Sequence, residues 1–397
     1  MSSSGKKDQL NRRTFVKATL AASVGATLGG SVRAEPAKAV ATQIPSTPRP
    51  AEWRNRQSDM AYRSFGRTGM MVSEIVQGTA LWKGQSELDS FDTAFERGVN
   101  YIDMAPAYQG GESEKLLGRY LKESGNRDHL FISDKISFYD EFFVRMMNDI
   151  LKGLPEEKKQ ALRKEADDLI ERRRVLQPGY HFYYWPKQAD KLYATYLRYV
   201  VLRDYGNLRK HKGAIKKRMH ELVDNSLRTT GAGHFDVLHC PHGVAMPEML
   251  DDENIPEVMA ELKAAGKIRF AALSMHNDVT GNLGKAVELG HYDGAMAAYN
   301  IGNHASLETT LAKAGDIGMG FVAMKVANLI NPGDAPSWRL DKLNTIIEDD
   351  SITRHAKSYL WALQNPHVSC CVSDMITPTM VAENTSIVGR KVDLQVV

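Results

Sequence analysis

Short apolar runs and helical patterns alternate along most of this chain, and this alternation restricts the fold more than any other feature. The helical patterns lie at 86–97, 113–123, 213–229, 254–265, 279–289, 305–315, 351–364 and 378–388. The apolar runs lie at 73–79, 100–105, 130–136, 235–241, 268–275, 294–299, 320–326 and 368–374. Strands separated by helices predict parallel pairing. Eight such units predict an α/β chain that closes into a (β/α)8 TIM barrel.

An open, doubly wound sheet is the alternative fold for the same alternation of strands and helices. That fold carries a glycine-rich G-x-G-x-x-G turn between its first strand and helix when it binds a dinucleotide. No such turn occurs at any predicted strand–helix junction of this chain. The eight-unit count and the missing turn both favour the closed barrel.

The third unit is much longer than the others. About 100 residues separate Lys135 from Asp236, whereas one helix and two loops need roughly 25–30. Most of the excess, 139–211, has helix-forming and charged composition, and it predicts a helical insertion between strands three and four. Residues 151–220 contain 18 Lys and Arg against 8 Asp and Glu.

The aromatic segment Gly179-Tyr180-His181-Phe182-Tyr183-Tyr184-Trp185-Pro186 lies inside this insertion. An insertion after strand three leaves the carboxyl end of that strand, above the barrel mouth. One interpretation is a solvated helical hairpin that its aromatic residues attach to the barrel. The other is a lid whose rings line the substrate site, where flat rings suit sugars and the basic charge suits anionic groups. The sequence leaves both open.

The N-terminus resembles a twin-arginine (Tat) export signal. Asn11-Arg12-Arg13-Thr14-Phe15-Val16-Lys17 precedes a mildly apolar stretch at 18–32, which is too short for a membrane-spanning helix. Val32-Arg33-Ala34 provides a cleavage site. We therefore expect a signal peptide at 1–34, which implies the twin-arginine machinery as a partner, a periplasmic or otherwise exported location, and no membrane anchor in the mature form. A proline-rich linker is expected at 35–58, followed by the barrel at 59–397.

Charge and cysteine content exclude several classes of protein. The formal net charge is +3, and residues 1–34 contribute six basic residues and one acidic residue, so the mature chain carries about −2. This value argues against binding to nucleic acid or to an anionic membrane. The three cysteines, Cys240, Cys370 and Cys371, form no disulfide framework. We expect adjacent Cys370 and Cys371 to point to the two faces of one buried strand.

Three side chains at consecutive strand ends suggest proton-transfer chemistry. Asp103 ends the second predicted strand, Tyr108 follows five residues later, and Lys135 ends the third strand. A phenol has an ordinary pKa of about 10, and a lysine within about 4–6 Å stabilises its phenolate form. Each residue also has a simpler interpretation, as a helix cap, an edge-packing ring or a solvated cation. Their order at matching strand ends favours the chemical one.

Residues from about 60 to 390 resemble the aldo-keto reductase family. One part of the resemblance is the run Tyr108-Gln109-Gly110-Gly111-Glu112-Ser113-Glu114, which is similar to the family's Y-G-x-G-x-S-E run except for Gln109. The other parts are the blocks at 62–75, 131–135, 235–243, 266–277 and 380–384. It implies that Tyr108 is the general acid/base, that Lys135 tunes its pKa and that Asp103 is the partner of Lys135.

The resemblance also implies a histidine after the fourth strand as a hydrogen-bond donor to the substrate carbonyl. His242 is favoured for this role, although it lies one residue beyond the family's usual spacing from Asp236. His239 is the alternative, but strand alternation places it in mid-strand, away from the mouth. A metal site is the third interpretation of this stretch, and we predict none because alternation separates the candidate ligands His234, His239, Cys240 and His242.

The cofactor that the resemblance implies is NAD(P). Ser274 and Asn300 match residues that contact the nicotinamide carboxamide, and Glu383-Asn384 matches a pair that contacts the adenine. Met296 replaces one amide anchor. Asp374 and Met380 replace the lysine and arginine that clamp the 2′-phosphate, so the usual clamp is absent, and a carboxylate there repels a phosphate.

These residues predict an exported oxidoreductase of aldo-keto reductase type. It would transfer hydride between a nicotinamide and the carbonyl or secondary alcohol of a small molecule, such as a sugar. Two alternatives from other classes remain. One is a non-catalytic ligand-binding barrel, which the replacements at Met296, Asp374 and Met380 favour. The other is a lyase or isomerase that uses the Tyr108–Lys135 pair without a nucleotide.

Overall fold

The structure, a computed structural model, describes residues 49–331, 336–392 and 394. It begins with a small sheet of three strands, β1 (Glu52–Trp53), β2 (Tyr62–Ser64) and β3 (Met70–Ser73). β1 pairs in parallel with β3, and β2 pairs with β3 in antiparallel orientation. The linker expected at 35–58 therefore ends earlier than predicted, because residues 52–53 already pair with Met70 and Met71. The predicted signal at 1–34 lies outside the described residues.

Eight parallel strands then close into a barrel, which confirms the predicted fold. The strands are β4 (Ile75–Gly78), β5 (Tyr101–Asp103), β6 (Phe131–Lys135), β7 (Phe235–Val244), β8 (Ile268–Met275), β9 (Gly294–Ala298), β10 (Gly320–Met324) and β11 (Cys370–Ser373). Each pairs with the next in chain order, and β11 pairs with β4 to close the ring. All eight carboxyl ends therefore lie at one mouth, where barrels of this kind carry their sites.

The helices alternate with these strands on the outside of the barrel. They are α1 (Gln85–Glu96), α2 (Glu112–Ser124), α3 (Glu141–Gly153), α4 (Glu156–Arg173), α5 (Gln188–Tyr205), α6 (Leu208–Thr230), α7 (Asn254–Ala264), α8 (Val279–Leu289), α9 (His304–Asp316), α10 (Trp338–Ile346), α11 (Arg354–Ala362) and α12 (Pro378–Thr385). α3, α4 and α5 form the insertion between β6 and β7. Among the residues described, no helix is both long enough and apolar enough to span a membrane.

The core has two layers that follow strand alternation. One cluster fills the barrel and includes Phe65, Tyr101, Phe270 and Cys370, whereas a larger one lies between the strands and the helices and includes Cys371. Phe65 closes the barrel floor, where a Cβ at Gly294 would lie only 2.5 Å from its ring. Glycine is required there because nothing larger leaves room for that ring. The two adjacent cysteines face opposite layers, as expected.

The floor of the barrel also contains a buried ion network. Asp236 is fully buried, and its carboxylate lies 3.2 Å from guanidinium nitrogens of Arg54 and Arg127 and 2.6 Å from that of Arg269. Burial raises the pKa of Asp236, but nearby His234 and the charges of Arg127 and Arg54 overcome it and hold the pKa far below its usual range. Arg269 also pairs with Glu52, so this network connects β1 to the barrel.

Candidate active site

A buried ion pair lies at the barrel mouth between β5 and β6. The Lys135 Nζ donates to Asp103 Oδ2 over 2.5 Å and to the Met104 carbonyl over 2.8 Å, and Ser133 Oγ donates to Asp103 Oδ1 over 2.7 Å. Both charged residues are almost fully buried. The pairing is possible because Asp103 is opposite Ser133 in the strand register, which brings the side chain of Lys135 alongside. Asp103 therefore holds the ammonium charged and fixed in place.

Tyr108 lies directly beside this pair. The Lys135 Nζ is 4.8 Å from the centroid of the Tyr108 ring. The turn at Tyr108–Gly111 positions the ring, because Gln109, Gly110 and Gly111 all have positive φ before α2 begins. Gln109 adopts a φ of 48° where the family motif has glycine, and its Nε2 donates to the Ala80 carbonyl over 2.7 Å.

The pKa of Tyr108 reflects opposing effects. Burial raises it, the charge of Lys135 lowers it, and the charge of Asp103 raises it, with a result of about 12. Burial lowers the pKa of Lys135, but the combined effects of Asp103 and Tyr108 overcome it and raise that pKa above its usual value. The sequence led us to expect a lysine that makes the phenol more acidic. Lys135 acts in that direction, but burial is the larger effect, so Tyr108 keeps its proton at neutral pH.

His242 reaches the mouth through a β-bulge. His239 pairs with Ala272 and His242 with Ser274, so β7 uses three residues where β8 uses two. The His242 ring lies 6.2 Å from the Tyr108 ring, and Ser137 Oγ lies 2.8 Å from its Nδ1. Burial first, and then the charge of Lys135, lowers the pKa of His242 far below its usual value. The imidazole is therefore neutral at physiological pH.

His239 lies deeper in the barrel. Its Cα pairs with that of Lys135, its Nδ1 lies 3.2 Å from the Leu273 carbonyl, and its Nε2 has no partner in the structure. Burial and the charge of Lys135 lower its pKa to about 4. His234 lies at the opposite end, 3.7 Å from Asp236. Within the described ranges, no three His, Cys, Asp or Glu side chains are close enough together to hold a metal ion.

The four residues predicted to bind the cofactor differ in whether their side chains already have hydrogen-bond partners. Ser274, at the mouth end of β8, has a buried Oγ without a hydrogen-bond partner. Asn300 is engaged: its Nδ2 donates to Tyr184 Oη over 2.9 Å, and its Oδ1 accepts from the amide of Gly302. On α12, Asn384 donates to Ser373 Oγ over 3.0 Å, and Glu383 is half-buried. Of these four residues, Ser274 is the one whose buried side-chain oxygen has no hydrogen-bond partner in the structure.

Asp374 and Met380, which the resemblance led us to expect at the positions of the phosphate clamp, carry no positive charge. Met380 is 41% exposed on α12. Asp374 accepts from the Ala80 amide over 3.0 Å, and a Cβ at Gly78 would lie 2.6 Å from its Oδ1. Burial raises the pKa of Asp374, and Lys325 opposes this by its charge. Lys325 follows β10 with a φ of 59°, and sequence reasoning assigned it no role.

The insertion forms one wall of the mouth. Trp185 lies 4.5 Å from the His276 ring, and Gln188 Nε2 donates to Asn277 Oδ1 over 2.8 Å. Tyr180 donates to Asp278. The aromatic segment thus attaches the insertion to the chain that follows β8. A lid whose rings line the substrate site stays a prediction.

Comparison with known proteins agrees with this geometry. A model of the aldo/keto reductase family matches residues 74–393. The aldo-keto reductase YhdN of Bacillus subtilis is 38% identical over 84 residues, which are 19% of this chain and 25% of that protein. Norsolorinic acid reductase of Aspergillus flavus is 36% identical over 78 residues, 17% of this chain and 20% of that enzyme. The chain thus matches no more than a quarter of the length of these relatives.

Two solved structures share the fold. The aldo-keto reductase AKR11C1 of Bacillus halodurans in its holo form has a TM-score of 0.53 and 18% identity, covering 84% of this chain and 92% of that one. An aldo/keto reductase of Klebsiella pneumoniae in complex with NADP and acetate has a TM-score of 0.54 and 17% identity, covering 83% and 90%. Because the family model spans most of the barrel, the chain belongs to the aldo/keto reductase family.

Proposed function

We propose that this protein is an oxidoreductase that transfers hydride between a nicotinamide cofactor and the carbonyl or secondary alcohol of a sugar or another polar metabolite. The observation that carries the proposal is the buried Asp103–Lys135 pair, whose ammonium lies 4.8 Å from the ring centroid of Tyr108. A buried ion pair fixed beside one phenol is suited to proton transfer.

In the direction of reduction, each residue has a distinct part. A bound nicotinamide supplies the hydride to the carbonyl carbon. Tyr108 donates its proton to the carbonyl oxygen as negative charge develops there, and Lys135 stabilises the phenolate that remains. Neutral His242 donates a hydrogen bond from Nε2 to the same oxygen, with the Ser137 hydroxyl donating to Nδ1 and so fixing this tautomer. Oxidation of an alcohol reverses these steps.

The residues at the mouth fit a nicotinamide in part. The buried, unpartnered Ser274 Oγ suits a carboxamide, since a buried hydroxyl gains from a hydrogen-bond partner. The solved Klebsiella pneumoniae aldo/keto reductase in complex with NADP supports the proposal that the cofactor is a nicotinamide dinucleotide. Asp374 and Met380 supply no cation for a 2′-phosphate, so we expect NAD(H) to bind at least as tightly as NADP(H).

Titration of the purified protein with NADH and NADPH, followed by fluorescence, tests the proposal. Trp185 lies beside His276 and provides a reporter at the mouth. We expect saturable binding of NADH, and weaker binding in Ser274→Ala, which removes only the hydroxyl. Failure of both nucleotides to bind would contradict the redox function.

That outcome would favour a second candidate, a ligand-binding barrel without redox chemistry. The observation behind it is Asn300, whose Nδ2 donates to Tyr184 Oη and whose Oδ1 accepts from the amides of Gly302 and Asn303. One Nδ2 proton remains for a ligand, so this side chain offers a dinucleotide a single hydrogen bond unless a present partner leaves.

We further propose that the protein is exported through the twin-arginine pathway. Support comes from Arg12-Arg13 and the mildly apolar stretch that follows. Replacing both arginines with lysine should leave the protein in the cytoplasm, as judged by fractionation with the parent sequence as control. Export of the variant at the parent level would contradict this proposal.

A further inference from the structure

The barrel mouth contains a cation that no described carboxylate neutralises. Lys135 is paired with Asp103, and the charge of Asp374 acts on Lys325. Neither Lys325 nor Lys191 has a carboxylate oxygen of the described residues within 4.0 Å of its Nζ, the limit for an ion pair, but Lys325 is half-buried whereas Lys191 is exposed. Solvent weakens the attraction of an exposed ammonium for an anion, so Lys191 can select an anionic substrate only by direct contact with it.

The start of α5 holds Lys191 at this position. Gln188, one turn earlier in sequence, is fully buried: its Oε1 accepts from the Tyr184 amide over 2.7 Å and its Nε2 donates to Asn277. These bonds fix the first turn of α5 against the end of β8. The helix then directs Lys191 over the chain that follows His242.

The ammonium lies close to the chain that follows His242. A Cβ at Gly243 would lie 3.2 Å from the Lys191 Nζ, and Gly243 directly follows His242. Burial is the main cause that lowers the pKa values of His242 and His276, and the charge of Lys191 lowers both further. Both imidazoles are therefore neutral, and Lys191 supplies positive charge on this side of the mouth.

We infer that Lys191 is a specificity-determining residue that binds a carboxylate of the substrate while the reacting carbonyl lies between Tyr108 and His242. This inference rests on the proposed function and adds the charge of the substrate. A carboxylate suits a single unpaired ammonium, which donates charge-assisted hydrogen bonds to it. A phosphate dianion suits the site less well, because Asp374 already places a carboxylate at this mouth.

A pair of aldehydes that differ only in charge tests the inference. 4-Carboxybenzaldehyde and its methyl ester present the same reacting carbonyl, and the wild type should prefer the acid in kcat/KM. In Lys191→Met the ratio of acid to ester should fall about tenfold, the effect of one charge-assisted hydrogen bond at such a site, mainly through KM. Lys191→Arg should retain most of the preference. The ratio is insensitive to partial misfolding, which lowers both rates together.

Lys217→Met is the matched control, because it removes the same charge from an exposed position on α6, where the side chain is 79% exposed. Its ratio should equal that of the wild type. An unchanged ratio in Lys191→Met, or an equal fall in Lys217→Met, would overturn the inference.

Direct binding separates failure of this inference from failure of the proposed function. Calorimetry with 4-(hydroxymethyl)benzoate and its methyl ester requires no turnover. If the wild type reduces neither aldehyde but binds the acid about tenfold more tightly than Lys191→Met does, the redox function fails and the anion site stands. Equal binding of the acid by both proteins would remove Lys191 from this role.

Discussion

At the scale of single residues, burial outweighs charge at the candidate proton donor. Lys135 lowers the pKa of Tyr108, yet the net pKa is about 12. The pKa of His242 lies far below its usual value, so this imidazole stays neutral as well. Neither group changes its proton between about pH 6 and pH 9. The acid needed for reduction is therefore fully protonated across that range.

This state predicts a flat pH profile for carbonyl reduction. With nucleotide and aldehyde saturating, kcat should vary less than about twofold between pH 6 and pH 9, because no catalytic group titrates there. Steady-state kinetics in buffers of constant ionic strength would measure it. A fall in kcat with a midpoint near pH 7 would instead mean that Lys135 dominates over burial.

Two neighbouring buried acids, Asp134 and Glu114, predict that the stability of the protein depends on pH. Asp134 points away from the barrel interior, neither of its carboxylate oxygens has a partner in the structure, and burial and then nearby Glu114 raise its pKa well above its usual value. Since the folded pKa exceeds the unfolded one, the folded state binds more protons and loses stability as pH rises above about 4. Asp134→Asn removes this loss.

We therefore expect Asp134→Asn to raise the melting temperature by about 2 °C or more at pH 8 and by little at pH 4. Thermal unfolding across this range would measure the difference. Asp128→Asn, at an exposed position, is the control and should change little. A variant less stable than the wild type at every pH would show that the carboxylate is stabilising.

The sequence was sufficient to predict Asp103, Tyr108 and Lys135 as neighbours, because each lies at or just after a strand end and parallel strands end at one mouth. It was insufficient for Ser137 and Lys191. The contact of Ser137 with His242 depends on a bulge in β7, and the position of Lys191 depends on how α5 packs. Neither feature leaves a periodic pattern in the sequence.

At the scale of elements, an apolar cluster with Ala245 and Met246 and several hydrogen bonds attach the insertion to the barrel. Gln188 joins the aromatic segment to Asn277 through three of these hydrogen bonds. The barrel strands and their helices were predictable because apolar runs and helical periods mark them. The short β1 was not, since two residues in a proline-rich stretch carry no period.

Gln188→Ala should loosen the insertion without unfolding the barrel. It leaves buried polar groups of Tyr184, Phe182 and Asn277 without partners, at about 1–3 kcal/mol for each group. Hydrogen–deuterium exchange should accelerate at 180–205 and stay unchanged in β4–β6. Gln160→Ala, at an exposed position on α4, is the control. Equal exchange in both variants would contradict the attachment described here.

At the scale of the whole barrel, the two ends have different roles. The mouth contains the candidate chemistry, whereas Asp236 and three arginines join the floor to β1. Removing a buried charge from such a network leaves its partners uncompensated and costs about 3–5 kcal/mol.

Asp236→Asn should therefore destabilise the protein by about that amount at pH 7 and leave kcat unchanged below its melting temperature. Because the folded pKa of Asp236 is depressed, its contribution is present above the unfolded pKa of about 4 and is lost as pH falls. Chemical unfolding at pH 7 and pH 3 would show the difference between the proteins shrinking in acid. If Asp236→Asn were as stable as the wild type at pH 7, the ion network at the barrel floor would have no role in stability.

The turnover of Tyr108→Phe tests the central claim most directly. The substitution removes only the hydroxyl, so nucleotide affinity by fluorescence titration should match that of the wild type. Loss of the general acid should lower kcat for aldehyde reduction by about 100-fold to 10,000-fold. A variant that binds nucleotide normally and reduces the aldehyde at the wild-type rate would contradict the assignment of Tyr108 as the proton donor.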